Sequence, residues 1–226
     1  RKRAEVLHIT LNPSTRIYYV EVEEPDLHNP SGDLERLVAA LESQWQLKNV
    51  QAEFSILPKM QPILRKGGWK VTCAVHHADA GSDPQIIHLW PGLYEGTVYG
   101  MAVDLGSTTI AAHLCDLRTG EVVASSGLMN PQIRFGEDLM SRVSYAMMNS
   151  GGDQEMTRAV RDGMDALFTQ ISAEAEIDKS LIMDAVFVCN PVMHHLFLGI
   201  DPFELGQAPF ALATSNALRL FAHQLD

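Results

Sequence analysis

Six consecutive residues, Asp104 to Thr109, gather the chemical groups that can grip a phosphate: a carboxylate, a glycine and three hydroxyls, in the order Asp-Leu-Gly-Ser-Thr-Thr. An apolar run from Val98 leads into them and reads as a buried strand, and a second apolar run follows, so the motif is a turn between two strands. Gly106 lets the backbone approach phosphate oxygens without a Cβ in the way. Ser107, Thr108 and Thr109 offer hydroxyls, and the turn's amides offer backbone donors, to oxygens that carry negative charge. Asp104, at the end of the strand, is placed to hold a hydrated Mg²⁺, an ion that keeps several waters and takes only one or two carboxylates. The strand-to-helix phosphate loops are absent: there is no Gly-x-x-x-x-Gly-Lys-Ser/Thr and no Gly-x-Gly-x-x-Gly opening a helix. On spacing alone, the same six residues also describe a plain tight turn.

Other reactive side chains carry less. His76-His77 and His194-His195 are adjacent pairs without a third ligand at metal spacing, and they read as packing or surface histidines. Cys73, Cys115 and Cys189 stand too far apart for a disulfide framework or an iron-sulfur motif, and each reads as a small buried apolar residue. Asn130-Pro131-Gln132 with Arg134 and Asp138 has two readings of equal weight. It lines part of a nucleotide cleft, or it is a helix start at which Glu137 and Asp138 favour the dipole. Met140, Met147, Met148, Met156 and Met164 fall at helical positions and read as core filler.

The elements that must position the turn follow from periodicity. Val6 to Leu11 and Ile17 to Val22 read as strands separated by Asn12-Pro13-Ser14. Leu34, Leu37, Val38, Leu41 and Trp45 recur at helical spacing, which predicts a helix over Asp33 to Leu47. Phe54 to Leu57, Trp69 to Val75 and Ile86 to Trp90 read as strands, with a short helical piece over Pro58 to Lys66. Ala78 to Pro84 is a loop by composition, and the domain boundary is expected near Gly92 to Gly96. Beyond it, Gly100 to Val103, Ile110 to Cys115 and Glu121 to Ser126 form a meander, its last two strands joined by Arg118-Thr119-Gly120. Glu137 to Met148 and Gln154 to Ala175 read as helices, the second with Met156, Val160, Met164, Leu167, Phe168 and Ile171 on one face. Ala185 to Cys189 reads as a fully buried parallel strand, Val192 to Leu198 as a helix, and Leu218 to Asp226 as an amphipathic helix.

A chain of 226 residues is long for one domain, so two are expected, over residues 1–95 and 96–226. The fold class is α/β: a small α+β domain, then a nucleotide-binding domain that is present only in part. A formal net charge of -11 argues against nucleic acid or an anionic membrane as partner, since either needs a concentrated basic face. No apolar run is long enough to span a bilayer and no apolar stretch follows the basic residues Arg1 to Arg3, so a cytoplasmic protein is expected. Both ends read as cuts in a longer protein.

Asp, Gly and hydroxyls between two apolar strands, with a third strand after them, resemble the first phosphate motif of the actin, Hsp70 and sugar-kinase superfamily, whose domain is ribonuclease H-like. The resemblance narrows with Tyr99-Gly100-Met101-Ala102-Val103-Asp104 and with Met129 to Arg142, Met-Asn-Pro-Gln-Ile-Arg-Phe-Gly-Glu-Asp-Leu-Met-Ser-Arg. Asn190-Pro191-Val192-Met193-His194-His195-Leu196-Phe197-Leu198-Gly199, then Asp201-Pro202 and Ala208-Pro209-Phe210, add to it, with Pro191 and Val192 where two threonines are usual. Together these look like the reductive activators of corrinoid proteins. The resemblance covers Tyr99 to Phe210 well and the preceding α+β unit, placed where the family has a middle domain, more loosely.

What the resemblance implies is an ATP- and Mg-dependent protein in which Asp104, Gly106, Ser107, Thr108 and Thr109 contact the nucleotide. An N-terminal [2Fe-2S] domain would deliver an electron to the cobalt(II) corrinoid of a partner methyltransferase system. The four-cysteine motif for that cluster is not among these 226 residues, and the remaining nucleotide loops are expected past Asp226. A homodimer is implied as well. Two other functions stay open on the residues: a sugar-kinase-type phosphotransferase, and a docking module whose nucleotide site is degenerate.

Overall fold

A computed structural model describes residues 10–77 and 82–225, so most of the strand expected at Val6 to Leu11 lies outside the described residues, as do residues 78–81 of the loop before Pro84. Thr10 and Leu11 carry no regular structure. The chain divides into two compact units. One takes the described residues through Tyr99 together with Asp116–Glu121, and the other takes Gly100–Cys115 and everything from Val122 onward.

In the first unit, β1 (Thr15–Glu21) alternates so that Tyr18 and Val20 face inward. Helix α1 (Asp33–Trp45) follows because its apolar residues recur every three or four positions; Leu37 and Leu41 are fully buried, and Leu34 and Val38 pack at their margin. Arg36 is buried at the helix start and turns its guanidinium back onto the Ser31 and Asn29 carbonyls. A two-residue strand, β2 (Gln51–Ala52), leads to a 3-10 turn at Phe54–Ile56 and then to α2 (Leu57–Lys66). This corrects the strand expected at Phe54 to Leu57. The Glu53 carboxylate accepts from the Ser55 amide at 2.8 Å and starts a helical turn, and Pro58, within the first turn of α2, has no N–H to give a sheet.

Strands β3 (Lys70–His76) and β4 (Gln85–Pro91) complete a sheet of order β1-β3-β4-β2. β3 pairs antiparallel with β1 from Thr15↔His76 to Glu21↔Lys70, and antiparallel with β4, while β2 pairs parallel with β4. α1 packs on β1 and α2 on β4. Their inner faces meet Val20, Val71, Cys73, Val75 and Ile86 in one core.

The second unit begins with the expected meander. Strands β5 (Tyr99–Leu105), β6 (Thr109–Asp116) and β7 (Val122–Met129) lie side by side, with β6 and β7 antiparallel from Thr109↔Met129. Asp116 closes the hairpin by accepting from the Arg118 and Thr119 amides. A 3-10 turn at Pro131–Phe135 precedes α3 (Leu139–Met148), and α4 (Gly152–Glu174) then buries Met156, Val160, Met164, Leu167 and Ile171 along one face. β8 (Ile182–Cys189) joins the sheet beside β5, giving the order β7-β6-β5-β8, and α5 (Pro191–Leu198) follows.

Three further expectations are corrected in this unit. β8 is an edge strand without a buried residue: Phe187 is half-buried, with its ring 4.7 Å from that of Phe197, whereas Val186 and Val188 are 63% and 65% exposed. Leu218 to Leu225 carry no regular structure apart from one 3-10 turn at Ala222–Gln224. So short a helix is marginal in water without a packed face, and Leu218 and Leu220 are exposed. Met156 and Met164 fill the core, but Met140, Met147 and Met148 are substantially exposed. Likewise Cys73 is buried while Cys115 and Cys189 are only half-buried. Among the described residues, no helix is long and apolar enough to cross a membrane.

Two outcomes follow from this packing. Leu41→Ala removes a fully buried side chain from the first unit's core and should cost about 2–5 kcal/mol in denaturant unfolding. A loss under about 1 kcal/mol would mean that this core can collapse around the gap. Burial also pushes the Cys73 thiol up to about 12, leaving negligible thiolate near neutrality. Mass-spectrometric footprinting with a maleimide should therefore label Cys115 and Cys189 in the native protein and reach Cys73 only after unfolding.

Candidate nucleotide site

The turn between β5 and β6 is built by the strands on either side of it. Along β5, Met101, Val103 and Leu105 point into the unit, which puts Asp104 on the exposed face. Along β6, Ile110 is buried and Thr109 exposed. Thr108 and Thr109 are therefore solvent-facing, and Gly106 and Ser107 are half-buried.

Three consecutive carbonyls of the turn are held from beneath. The Asn130 side-chain amide donates to the Gly106 carbonyl at 2.8 Å, and the Asn130 backbone N–H donates to the Thr108 carbonyl at 2.8 Å. Between them, Arg142 Nη2 donates to the Ser107 carbonyl at 2.5 Å. With its carbonyls held inward, the turn presents its hydroxyl-bearing side to solvent.

Gly106 is required by the turn's own closure. A Cβ on it would stand 2.5 Å from the Thr109 carbonyl oxygen, inside any tolerable contact. The sequence assigned this glycine to close approach of a phosphate; the structure adds an approach made by the protein's own backbone.

The holding residues are themselves held. Asn130 is buried, caps the 3-10 turn after β7 by accepting from the Gln132 amide at 2.9 Å, and lies 3.5 Å from the Met193 sulfur. Gln132, also buried, donates to the Met156 carbonyl at 3.0 Å. Arg142 is fully buried on the inner side of α3, where Nε donates to the Gly136 carbonyl at 2.9 Å and Nη1 meets the Met193 sulfur at 3.4 Å. Gly136 admits this arrangement because a Cβ there would sit 2.8 Å from the Arg142 backbone nitrogen. Burial lowers the Arg142 pKa from its ordinary value, and the Asp138 carboxylate partly opposes that shift.

Met193 belongs to α5, where the Asn190 side chain accepts from its amide at 3.0 Å and caps the helix. One residue earlier, the Cys189 thiol is pushed up by burial and, secondarily, by the Asp104 carboxylate. β8 neighbours β5 in the sheet, which sets its end near the acidic end of the turn.

Of the remaining candidates, Asp138 is the N-cap of α3. It accepts from the Ser141 amide at 2.7 Å, and this hydrogen bond lowers its pKa. Arg134 is exposed, with its guanidinium 4.7 Å from the centre of the Phe135 ring. The segment Asn130 to Asp138 is thus a floor and a helix cap. His77 meets the Tyr18 hydroxyl at 2.9 Å, and His195 bonds the Pro191 carbonyl and the Ala213 amide at 2.8 and 3.1 Å. Arg142 and Met193, though inside the quoted motifs, were not read as parts of a site. The available signal was an arginine beside Val143 on the inward stripe of α3, where a surface helix carries apolar residues.

As a donor set the turn offers one carboxylate and three hydroxyls, which a mostly hydrated Mg²⁺ and a phosphate can use. Among the described residues no group of three or more His, Cys, Asp or Glu side chains converges as a metal cage.

An α+β unit followed by a sheet whose first hairpin carries such a turn defines a two-unit α/β protein. The chain belongs to the RACo family, the reductive activators of corrinoid proteins: the model of the RACo linker region matches residues 4–96, and that of the RACo middle region matches residues 99–226. It is 33% identical over 126 residues to the corrinoid activation enzyme RamQ of Eubacterium limosum, a match covering 56% of this chain and 21% of RamQ. Its fold is similar to a solved reductive activator for corrinoid, iron-sulfur protein, with a TM-score of 0.80, 32% identity, and coverage of 92% of this chain and 33% of that one. The chain therefore spans about a fifth to a third of the length of these relatives. The resemblance drawn from Tyr99 to Phe210 holds, and the preceding α+β unit, expected where the family has a middle domain, matches its linker region, the middle region being residues 99–226.

The geometry of the turn gives a direct test. Gly106→Ala should destabilise the second unit by about 1–3 kcal/mol, the usual range for an inserted methyl that a packed neighbour cannot avoid. Hydrogen exchange of the amides from Gly106 to Thr109 should quicken. Unchanged stability and exchange would show that the turn has slack which the 2.5 Å approach denies.

Proposed function

We propose that this chain is the linker and the first part of the ATP-binding domain of an ATP-dependent reductive activator of a corrinoid protein. The observation that carries the reading is the match of residues 99–226 to the RACo middle region, joined to a turn whose carbonyls are held inward and whose carboxylate and hydroxyls face outward. Family membership favours this reading over a sugar-kinase-type phosphotransferase.

In this reading the nucleotide domain is of the actin and sugar-kinase type, and residues 96–226 supply its first phosphate-binding half. Gly106, Ser107, Thr108 and Thr109 bind the phosphates, and Asp104 holds Mg²⁺ through water. ATP binding and hydrolysis make possible a reduction that is uphill alone. A [2Fe-2S] domain outside these 226 residues gives one electron to cobalt(II) of the partner corrinoid, producing cobalt(I). The corrinoid protein of a methyltransferase system is the partner, and the activator acts as a homodimer.

The test uses the full-length protein, reduced and mixed with its cobalt(II) corrinoid partner, with cobalt(I) formation followed by absorbance. Cobalt(I) should accumulate only with Mg-ATP, and Asp104→Asn should slow the ATP-dependent rate by about 10–100-fold, the usual cost of losing an outer-shell metal contact. Equal rates with and without ATP would overturn the reading of the domain. An unaffected Asp104→Asn variant would overturn the assignment of that residue.

A further inference from the structure

Among the described residues two buried guanidiniums, Arg36 and Arg142, have no counter-ion in contact, and Arg142 is the one that lies behind the phosphate turn. Its guanidinium is fully buried, and its three acceptors are neutral: the Ser107 carbonyl at 2.5 Å, the Gly136 carbonyl at 2.9 Å and the Met193 sulfur at 3.4 Å. The Asp138 carboxylate acts on it electrostatically, but that carboxylate is exposed and committed to the Ser141 amide. Among the described residues no carboxylate lies within ion-pairing distance of it.

A buried cation is costly unless it is paired or well hydrogen-bonded, and a guanidinium does not lose its proton to escape that cost. Each guanidinium nitrogen has one partner, but all three partners are neutral and leave the charge uncompensated. It sits one carbonyl behind the solvent-facing turn, and the open side of that turn is where an anion could lie.

We propose that Arg142 is a positioning residue for the phosphate turn that also supplies its electrostatic attraction, a fixed positive charge placed behind the backbone so that affinity rises with the number of phosphates on the ligand. This rests on the reading of the turn as a phosphate holder. It separates two roles of one side chain. The hydrogen bond to Ser107 shapes the turn, which serves any ligand equally, whereas the charge acts on anions and grows with their charge. Burial weakens solvent screening of that charge, so the attraction persists at physiological salt.

The experiment compares wild type, Arg142→Lys and Arg142→Gln in the full-length protein, measuring dissociation constants for ATP, ADP and AMP by calorimetry with EDTA present, because free of Mg²⁺ their negative charge rises with each phosphate. Lysine keeps the charge and loses the fork; glutamine keeps a donor and loses the charge. The ratio of ATP to AMP affinity within one protein cancels any loss of folded fraction, so poor folding of a variant leaves that readout intact. Arg142→Gln should lower this ratio on the order of 10–100-fold, and Arg142→Lys should preserve it to within about 3-fold. A ratio unchanged in Arg142→Gln, or lowered equally in both variants, overturns the charge role. Wild type that binds AMP and ATP alike, or neither, overturns the phosphate reading itself and this inference with it.

Discussion

The second unit is organised around the carbonyls of one turn. Gly106, Ser107 and Thr108 each direct an acceptor into the protein, and a buried carbonyl left without a donor costs about 1–3 kcal/mol. Asn130 answers two of them and Arg142 the third. Meeting that demand fixes much else. Arg142 must lie on the inner side of α3, which requires Gly136 to be without a side chain and Asp138 to start the helix at that point. Asn130 must sit at the end of β7, where its own oxygen turns the chain into the 3-10 segment. Met193 fills the remaining space with a sulfur that both donors can approach, and it is delivered there by the Asn190 cap of α5.

The first unit shows the simpler form of the same physics. Its core cluster, from Tyr18 to Leu89, is built of apolar side chains, and the buried cation of its described residues, Arg36, is spent on the carbonyls of the loop that precedes its own helix. That is a local cap, reaching back at most seven residues. Arg142 reaches across 35 residues of sequence to Ser107. The difference separates a residue that finishes a helix from one that shapes a distant turn.

This contrast also explains what could be read in advance. α1 and α4 were legible because a buried helical face imposes a period of about 3.6 on its apolar residues, and the β5–β7 meander because apolar runs broken by Arg118-Thr119-Gly120 leave little choice of pairing. The position of the turn was legible, since Asp104 to Thr109 is short and contiguous. Its support was not, because the Arg142 to Ser107 contact depends on which face of α3 turns inward. Locally apolar segments misled where neighbours decided the outcome. Phe54 to Leu57 is rich in strand formers, yet the Glu53 cap and Pro58 turn it into a helix start. Ala185 to Cys189 is apolar enough for a buried strand, yet it occupies an edge of the sheet with Val186 and Val188 open to solvent.

The network also limits how the turn can respond to a ligand. Changing its shape would detach at least one of three carbonyls, and detaching Ser107 would strand a guanidinium that has few acceptors left. Each detachment leaves a buried polar group unsatisfied at about 1–3 kcal/mol, which holds the turn in its present shape before any ligand arrives. On the proposed reading of the turn, a phosphate arriving at the outer face would meet a preformed surface and spend little binding energy on ordering the loop. Because Arg142 and Asn130 both touch Met193, the turn is tied through one side chain to α3 and α5. A nucleotide-linked change in this unit would then displace the turn, α3 and α5 as one body, in the manner of a hinge or shear movement, and not by melting and reforming the loop.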